Sequence, residues 1–400
     1  MRSLRRRTVL IGTGVMLALG AGGSAASAAS GHPVAAARGR AVPATPPTVY
    51  VTINPYTGSE VIPVDTATNT AGPPIKAGIS LGPIAITPDG KTAYVGAADA
   101  NTNGIVVPIR TATNTKGKPI KVGGFVPFAI AITPDGKTAY VADSNLESPD
   151  AVTPISTATN TAGKPIPVKG SPVAIAITPD GKTAYVVNAS SGTVTPISTA
   201  TNKPGKAIRV GELPSQIAIT PNGRTAYVSD YGGKVTPIST ATNKPGLPIK
   251  INGSGDTGPI AITPDGKTAY VGGGEANTVT PIRTATNTAG KPIPVGSGPV
   301  DITVTPDGKT AYVANYYTGD VTPIRTATNT PGAPIKIRGR NVEGGPIAIT
   351  PDGKTAYVLG QHQQGRGFTP DTLTPITTAT NYAGKPITVG AQSQAIAITP

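Results

Sequence analysis

The chain of 400 residues contains no cysteine and no tryptophan, and it has only three Phe, two Met and two His. Without cysteine there is no disulfide, no thiolate metal site, no cysteine nucleophile and no lipidated cysteine. With so few large aromatics, apolar burial has to come from many small contacts made by Ile, Val and Ala. His32 lies close to the N-terminus, which leaves His362 as the one imidazole in the body of the chain. A Ser-His-Asp system or a histidine-based metal site needs more than that, or a defined neighbour for it. Acidic residues are also scarce: 20 against 34 Lys and Arg, for a formal charge of +14.

Long apolar runs are missing except at the start. Arg5-Arg6-Arg7, the short apolar stretch from Thr8 to Gly23 and the small residues Ala26-Ser27-Ala28 have the layout of an export signal over residues 1–28. The stretch is shorter than the roughly 20 apolar residues that a membrane span needs. Arg6-Arg7-Thr8-Val9-Leu10 is similar to a twin-arginine signal, with Val9 in place of the usual aromatic, so both that route and the ordinary secretory one stay open. A secreted or cell-envelope protein is expected, with residues 29–46 as a flexible leader and 47–400 as the folded domain.

What the chain has in abundance is Gly (50) and Pro (43), placed at fixed offsets between alternating apolar residues. The phrase Thr87-Pro88-Asp89-Gly90 returns from Thr133, Thr178, Thr220, Thr263, Thr305 and Thr350, at steps of 42 to 46 residues. After it come a Tyr-Val run and then Thr-Ala-Thr-Asn, ending for example at Asn114, Asn160 and Asn202. Taking one unit, Val173–Thr178, Thr183–Val187, Val194–Thr199 and Ala207–Val210 read as four short strands, labelled A to D, with Asp180-Gly181 as the A–B hairpin turn. Four antiparallel strands recurring at this period predict the blade of a β-propeller. The repeated Tyr (Tyr50, Tyr94, Tyr140, Tyr185, Tyr227, Tyr270, Tyr312, Tyr357) is expected to pack between blades. The chain opens with strands B, C and D (from Thr48) and closes with a strand A (Ala395–Pro400), so the two ends are expected to complete one blade and the count is eight; the alternative is a fragment cut in the middle of the next hairpin. A proline inside every strand C (Pro63, Pro108, Pro154, Pro196, Pro237, Pro281, Pro323, Pro375) implies a bulge, or an N–H position turned away from strand D.

Tyr50-Val51-Thr52-Ile53, Tyr185-Val186-Val187-Asn188 and Tyr312-Val313-Ala314-Asn315, together with Ile62-Pro63-Val64-Asp65-Thr66-Ala67-Thr68-Asn69, resemble the YVTN family of β-propeller repeat proteins. The likeness runs over residues 48–400. It departs at the strand-C prolines and at Gly96, Gly272 and Gly360. It implies an exported propeller, commonly of seven blades, which conflicts with the count of eight. It implies little about activity, because fold does not carry function.

The A–B and C–D turns hardly vary from copy to copy, whereas the B–C and D–A loops differ every time. In an up-and-down blade these belong to opposite faces of the disc. Tyr56, Phe125, Phe128, Tyr231, Tyr316, Tyr317 and Phe368 fall in the variable loops, and His362 and Arg366 share the longest of them with Phe368. Aromatics on loops over a rigid scaffold suit a binding surface, so these residues form the candidate ligand site for a protein or glycan. The lysines gather in the constant turns, which predicts a basic face able to contact an anionic cell-envelope polymer. Nucleic acid is not expected, because no basic motif is interleaved with aromatics. A monomer is expected.

No catalytic set, metal site or cofactor is read from the sequence, and the chain is expected not to be an enzyme. The missing Trp counts against the propellers that bind a quinone or cleave sialosides, which rely on repeat tryptophans. The alternative is a metal-dependent lactonase-type hydrolase or lyase, using carboxylates such as Asp301 and Glu212 at the channel mouth.

Overall fold

The computed structural model describes residues 46–54, 58–124, 127–143, 150–251, 257–337, 342–362 and 370–400. The expected export segment and almost all of the leader lie outside them. Every regular element among the described residues is a strand, and the strands form eight antiparallel sheets in the order A, B, C, outer strand. In the third blade, strand A is Pro172–Ile177, B is Thr183–Asn188 and C is Thr193–Ser198. Blades are numbered along the chain, from the one with inner strand Ile84–Ile86 to the seventh with Val342–Ile349. The eighth is split: Ser393–Ile398 from the C-terminal end pairs with Thr48–Ile53, which pairs in turn with Ser59–Asp65. Val49 stands opposite Ile398 and Val51 opposite Ile396. Thr48 N–H donates to Thr399 Oγ1 at 2.8 Å, the bond that Thr92 N–H makes to Thr87 Oγ1 at 3.1 Å inside an unbroken hairpin. The propeller therefore has eight blades, not the seven common in the resembled family.

The strand-C prolines have a simpler cause than a bulge. Register between B and C runs unbroken through Tyr185↔Pro196, so nothing bulges there. Pro196 C=O accepts Gly205 N–H at 2.7 Å, which places the polar edge of Pro196 toward strand D, not away from it as expected. It is strand D that is interrupted. Lys203–Pro204 pairs with Ile197 and Ser198, Ile208–Arg209 pairs with Thr193 and Val194, and the residues between them leave the ladder opposite the proline. A donor is missing where no acceptor stands, so proline costs nothing there. The same arrangement recurs in every blade, with Gly72 N–H on Pro63 C=O and Gly384 N–H on Pro375 C=O as further examples.

Burial is divided among the seams between blades and has no single centre. One cluster joins Tyr185, Val187 and Val194 of blade 3 to Ile217, Val228 and Ile238 of blade 4. Another joins Tyr357 and Leu373 of blade 7 to Val49, Val51 and Ile62 of the split blade. The repeated tyrosines lie in these seams with at most 1% exposure, each worth the stabilisation of a large buried ring. Every hydroxyl then crosses to the next blade and donates to the Asn of its Thr-Ala-Thr-Asn turn: Tyr50 to Asn114, Tyr94 to Asn160, and so on to Tyr312 with Asn381 and Tyr357 with Asn69, all at 2.6 Å. The acceptor is an Asn for two reasons. Its side chain supplies the oxygen, and its backbone takes the left-handed φ of 52–56° that closes the turn, which Asn tolerates better than most residues. Burial pushes these phenols up to about 12.

Candidate functional site

Hydrogen bonds fix which loops share a face. Thr111 Oγ1 at the start of a C–D turn donates to Gly90 C=O of the A–B turn in its own blade at 2.6 Å, as Thr199 does to Gly181. Constant turns thus lie together on one face and variable loops on the other. On the constant face most A–B lysines are neutralised locally: Lys91, Lys137, Lys182, Lys267, Lys309 and Lys354 each pair with the Asp two residues earlier, at 3.4–3.8 Å. Such exposed pairs contribute little to stability, but they do cancel charge. What remains is Arg224, the strand-C termini Arg110, Arg283 and Arg325, the outer-strand residues Lys116, Lys203 and Lys244, and Lys118, Lys164, Lys206, Lys291 and Lys385 in the breaks of the outer strands. None of these is in an ion pair among the described residues. The acid beyond the paired turns is Asp65, and its Oδ1 accepts Ala67 and Thr68 N–H at 2.7 and 3.1 Å. Net positive charge therefore sits on the rim of the constant face more than at its centre.

The variable face carries the exposed apolar groups. Of the seven large hydrophobics left exposed among the described residues, Ile79, Phe128, Leu213, Tyr231 and Tyr317 are in variable loops, Tyr382 is on an outer strand and Leu247 lies between two outer-strand pieces. Phe128 enters strand A of blade 2, Tyr231 lies in the B–C loop of blade 4, and Tyr316 and Tyr317 lie in that of blade 6. The last two meet edge to face with centroids 5.1 Å apart. Their backbone is fixed by Tyr316 N–H on Gly298 C=O (2.8 Å) and Tyr317 N–H on Ser297 C=O (3.1 Å). These aromatics are distributed around the ring on separate blades and are not gathered into one cage. Tyr56, Phe125, Arg366 and Phe368 lie outside the described residues, as does the His362 side chain. The His362 backbone ends its strand opposite Val342.

Acids of the variable face mostly organise its loops. Asp150 Oδ2 accepts Gly170 and Ser171 N–H, and Asp371 Oδ2 accepts both N–H and Oγ of Ser393. Asp320 is buried and paired with Lys336 at 2.9 Å. Asp301 is buried on the inner strand of blade 6. Its two oxygens accept Ile302 N–H at 2.8 Å and, across the seam, Ile347 N–H at 2.9 Å of blade 7. Burial pushes Asp301 up to about 7 against the pull of those two amides. It is a clip between inner strands, not an open carboxylate at the channel mouth, and Glu212 sits apart in an exposed loop. No group of three or more His, Cys, Asp or Glu fit for a metal occurs among the described residues.

One concave site adjoins a candidate aromatic. Between blades 3 and 4 lies a cleft of about 500 Å³ lined by Arg209, Gly211, Glu212, Asp230, Gly232 and Lys234, with Pro245 and Pro248 at its outer end. Gly211 leaves room for its neighbour, because a Cβ there would run into the Asp230 carboxylate. Asp230 is buried, accepts Lys234 N–H at 2.9 Å, and is held above the usual carboxylate range by desolvation. Tyr231 N–H donates to Glu212 C=O at 3.1 Å, which ties the two loops at the lip together. Leu213 stands beside them, 54% exposed, at φ +47°. The same place in neighbouring D–A loops holds Ser80, Ser171, Gln392 or Gly298, all at positive φ. Leu213 escaped the sequence reading because a Leu before a Pro looks like ordinary strand entry.

No protein-family model matches the chain, and no curated protein matches it by sequence. The YVTN likeness accordingly stays a likeness, and the propeller fold is what is established. Among solved structures, the chain is similar to Kuenenia stuttgartiensis hydrazine synthase (27% identity over 67% of this chain and 90% of that one, TM-score 0.54). It is also similar to the dihydro-heme d1 dehydrogenase NirN in complex with DHE (13%, 90% and 76%, TM-score 0.72). A third is a functionally unknown protein from Desulfotomaculum acetoxidans (19%, 87% and 98%, TM-score 0.56). Two of these three are enzymes by name. The expectation that this chain is not an enzyme is therefore corrected: the fold it shares is one that enzymes contain.

Proposed function

We propose that this protein is an extracytoplasmic binding propeller, whose constant face rests on an anionic cell-envelope polymer while the variable face takes up a ligand. One observation carries the reading: among the described residues most cations outside ion pairs, including Arg110, Arg224, Arg283 and Arg325, lie on or beside the constant turns, while the exposed aromatics Phe128, Tyr231 and Tyr317 stand on variable loops. Cations freed of local partners keep their long-range attraction for polyanions, and at ionic strengths where the Debye length is about 8–10 Å that attraction is strong only at contact. The aromatics stand on loops anchored by backbone hydrogen bonds, which lowers the ordering cost of binding.

The test is co-sedimentation of the mature protein with isolated envelope material at low and high salt. A variant with Lys116, Lys118, Lys203 and Lys206 changed to Glu is run alongside. Pelleting at low salt that is lost at high salt, and lost in the variant, is expected. Absence of pelleting at both salts refutes the envelope contact.

A further inference from the structure

The cleft between blades 3 and 4 brings charged side chains of two blades together. Arg209 and Lys234 approach it from opposite blades, one on the outer strand of blade 3 and the other at the start of strand C in blade 4. Both are exposed, and so is Glu212; Arg209 and Glu212 are in no ion pair among the described residues, and Lys234 has the Asp230 carboxylate as its electrostatic neighbour. The remaining carboxylate, Asp230, is buried and turned onto backbone N–H groups, so it presents little negative charge to an occupant. Beside the cleft, next in sequence to its lining residues, Tyr231 and Leu213 expose apolar surface that adds to the Val210, Pro245 and Pro248 of the lining.

Leu213 is distinctive for its side chain. The left-handed turn it occupies recurs in equivalent loops at Ser80, Ser171 and Gln392, whose Cβ atoms carry the same cost. Those places hold polar residues, whereas Leu213 leaves a large apolar side chain 54% exposed beside the cleft.

We propose that this cleft binds an acidic saccharide, a pyranose bearing a carboxylate. The carboxylate would face Arg209 and Lys234, the apolar face of the ring would lie on Tyr231 and Leu213, and Glu212 would accept from ring hydroxyls. Each feature has a use with such a ligand. A neutral sugar leaves the two cations unused, and a simple anion leaves the apolar lip unused. A volume of about 500 Å³ is in the range of small-ligand sites. The inference rests on the proposed ligand-binding role of the variable face and names the substrate class for one place on it.

Calorimetric titration with trimers of galacturonic acid and of glucuronic acid tests it, with the corresponding methyl esters and polyglutamate as controls. Expected are binding of at least one acid trimer, at least tenfold weaker binding of its ester, and at least tenfold loss in Tyr231→Ala. The Arg209→Gln/Lys234→Gln pair should bind acid and ester alike. Leu213→Gly should bind more weakly yet unfold at a higher temperature, which separates a lost contact from a damaged fold. Failure of both acid trimers, equal binding of acid and ester, or equal binding of polyglutamate that survives Tyr231→Ala would each overturn the proposal. The lysine-to-glutamate variant of the constant face should keep trimer binding. If it pellets no envelope but still binds trimer, the two faces are separate. If envelope pelleting persists while no trimer binds, this inference alone falls.

Discussion

Closure of the ring can be measured through one hydrogen bond. Tyr357 of blade 7 donates to Asn69 of the split blade at 2.6 Å, across the seam that joins the two ends of the chain. Tyr357→Phe removes the donor from a site 1% exposed. Asn69 is itself exposed and regains water, so the cost should fall at the low end of a buried hydrogen bond, about 0.5–1 kcal/mol. Asn69→Gly keeps the left-handed backbone without strain but leaves the phenol facing only Thr66 C=O at 3.5 Å, a distance at the edge of bonding. Stranding a buried donor costs about 1–3 kcal/mol. With the hydroxyl already gone, Asn69→Gly should cost only a few tenths, which sets the coupling at about 1–2 kcal/mol. Tyr185 and Asn243 make the same bond at 2.6 Å within the continuous chain and serve as the control. Urea unfolding of both double-mutant cycles should give equal couplings. A control coupling near 1 kcal/mol with a seam coupling within about 0.3 kcal/mol of zero would mean that the two ends do not meet as described. Two couplings near zero would remove the Tyr–Asn ring from the account of stability altogether.

Two further expectations concern pH. Tyrosines held at about 12 instead of 10.0 stabilise the fold fully below pH 10 and lose that contribution as pH rises through 12. Absorbance at 295 nm from the buried phenols should therefore appear together with loss of far-UV dichroism between those values, and ionisation well ahead of unfolding would contradict their burial. Asp301, raised from 3.8 to about 7 by burial, contributes stability below pH 3.8 that is lost as pH rises through 7. Asp301→Ala should be less stable than the parent near pH 4, because Ile347 N–H loses its acceptor, at about 1–3 kcal/mol. The gap should narrow toward pH 8, and parallel stability curves from pH 4 to 8 would refute the assignment.

Much of the fold was legible in the chain. The period, the Asp-Gly hairpins and the split first and last units led to eight four-stranded blades, because each is a local backbone requirement written into a few residues. Placement of Tyr in the seams was also readable from its spacing. Its partner was not. Tyr185 and Asn243 are 58 residues apart, and nothing local says that the Asn of one turn answers the Tyr of the blade before it. The prolines misled for a related reason. Strand C was read against an unbroken strand D, whereas the break in D decides what proline costs.

Function was less legible, and the division again follows the range of the forces. Composition and repeat comparison separated a lysine-rich constant set from aromatic variable loops, since both properties belong to residue type and position in the repeat. The A–B lysines pair with aspartates two residues earlier in the same hairpin, a local contact that composition alone did not reveal, and only the tertiary structure set the remaining cations on the rim. It alone turned Asp301 from a candidate ligand into a clip between strands, and set Leu213 beside Tyr231 over a cleft that two blades share. Residue types and turns are fixed by neighbours in the chain. Which side chains meet across a seam is fixed by the packing of one blade on the next.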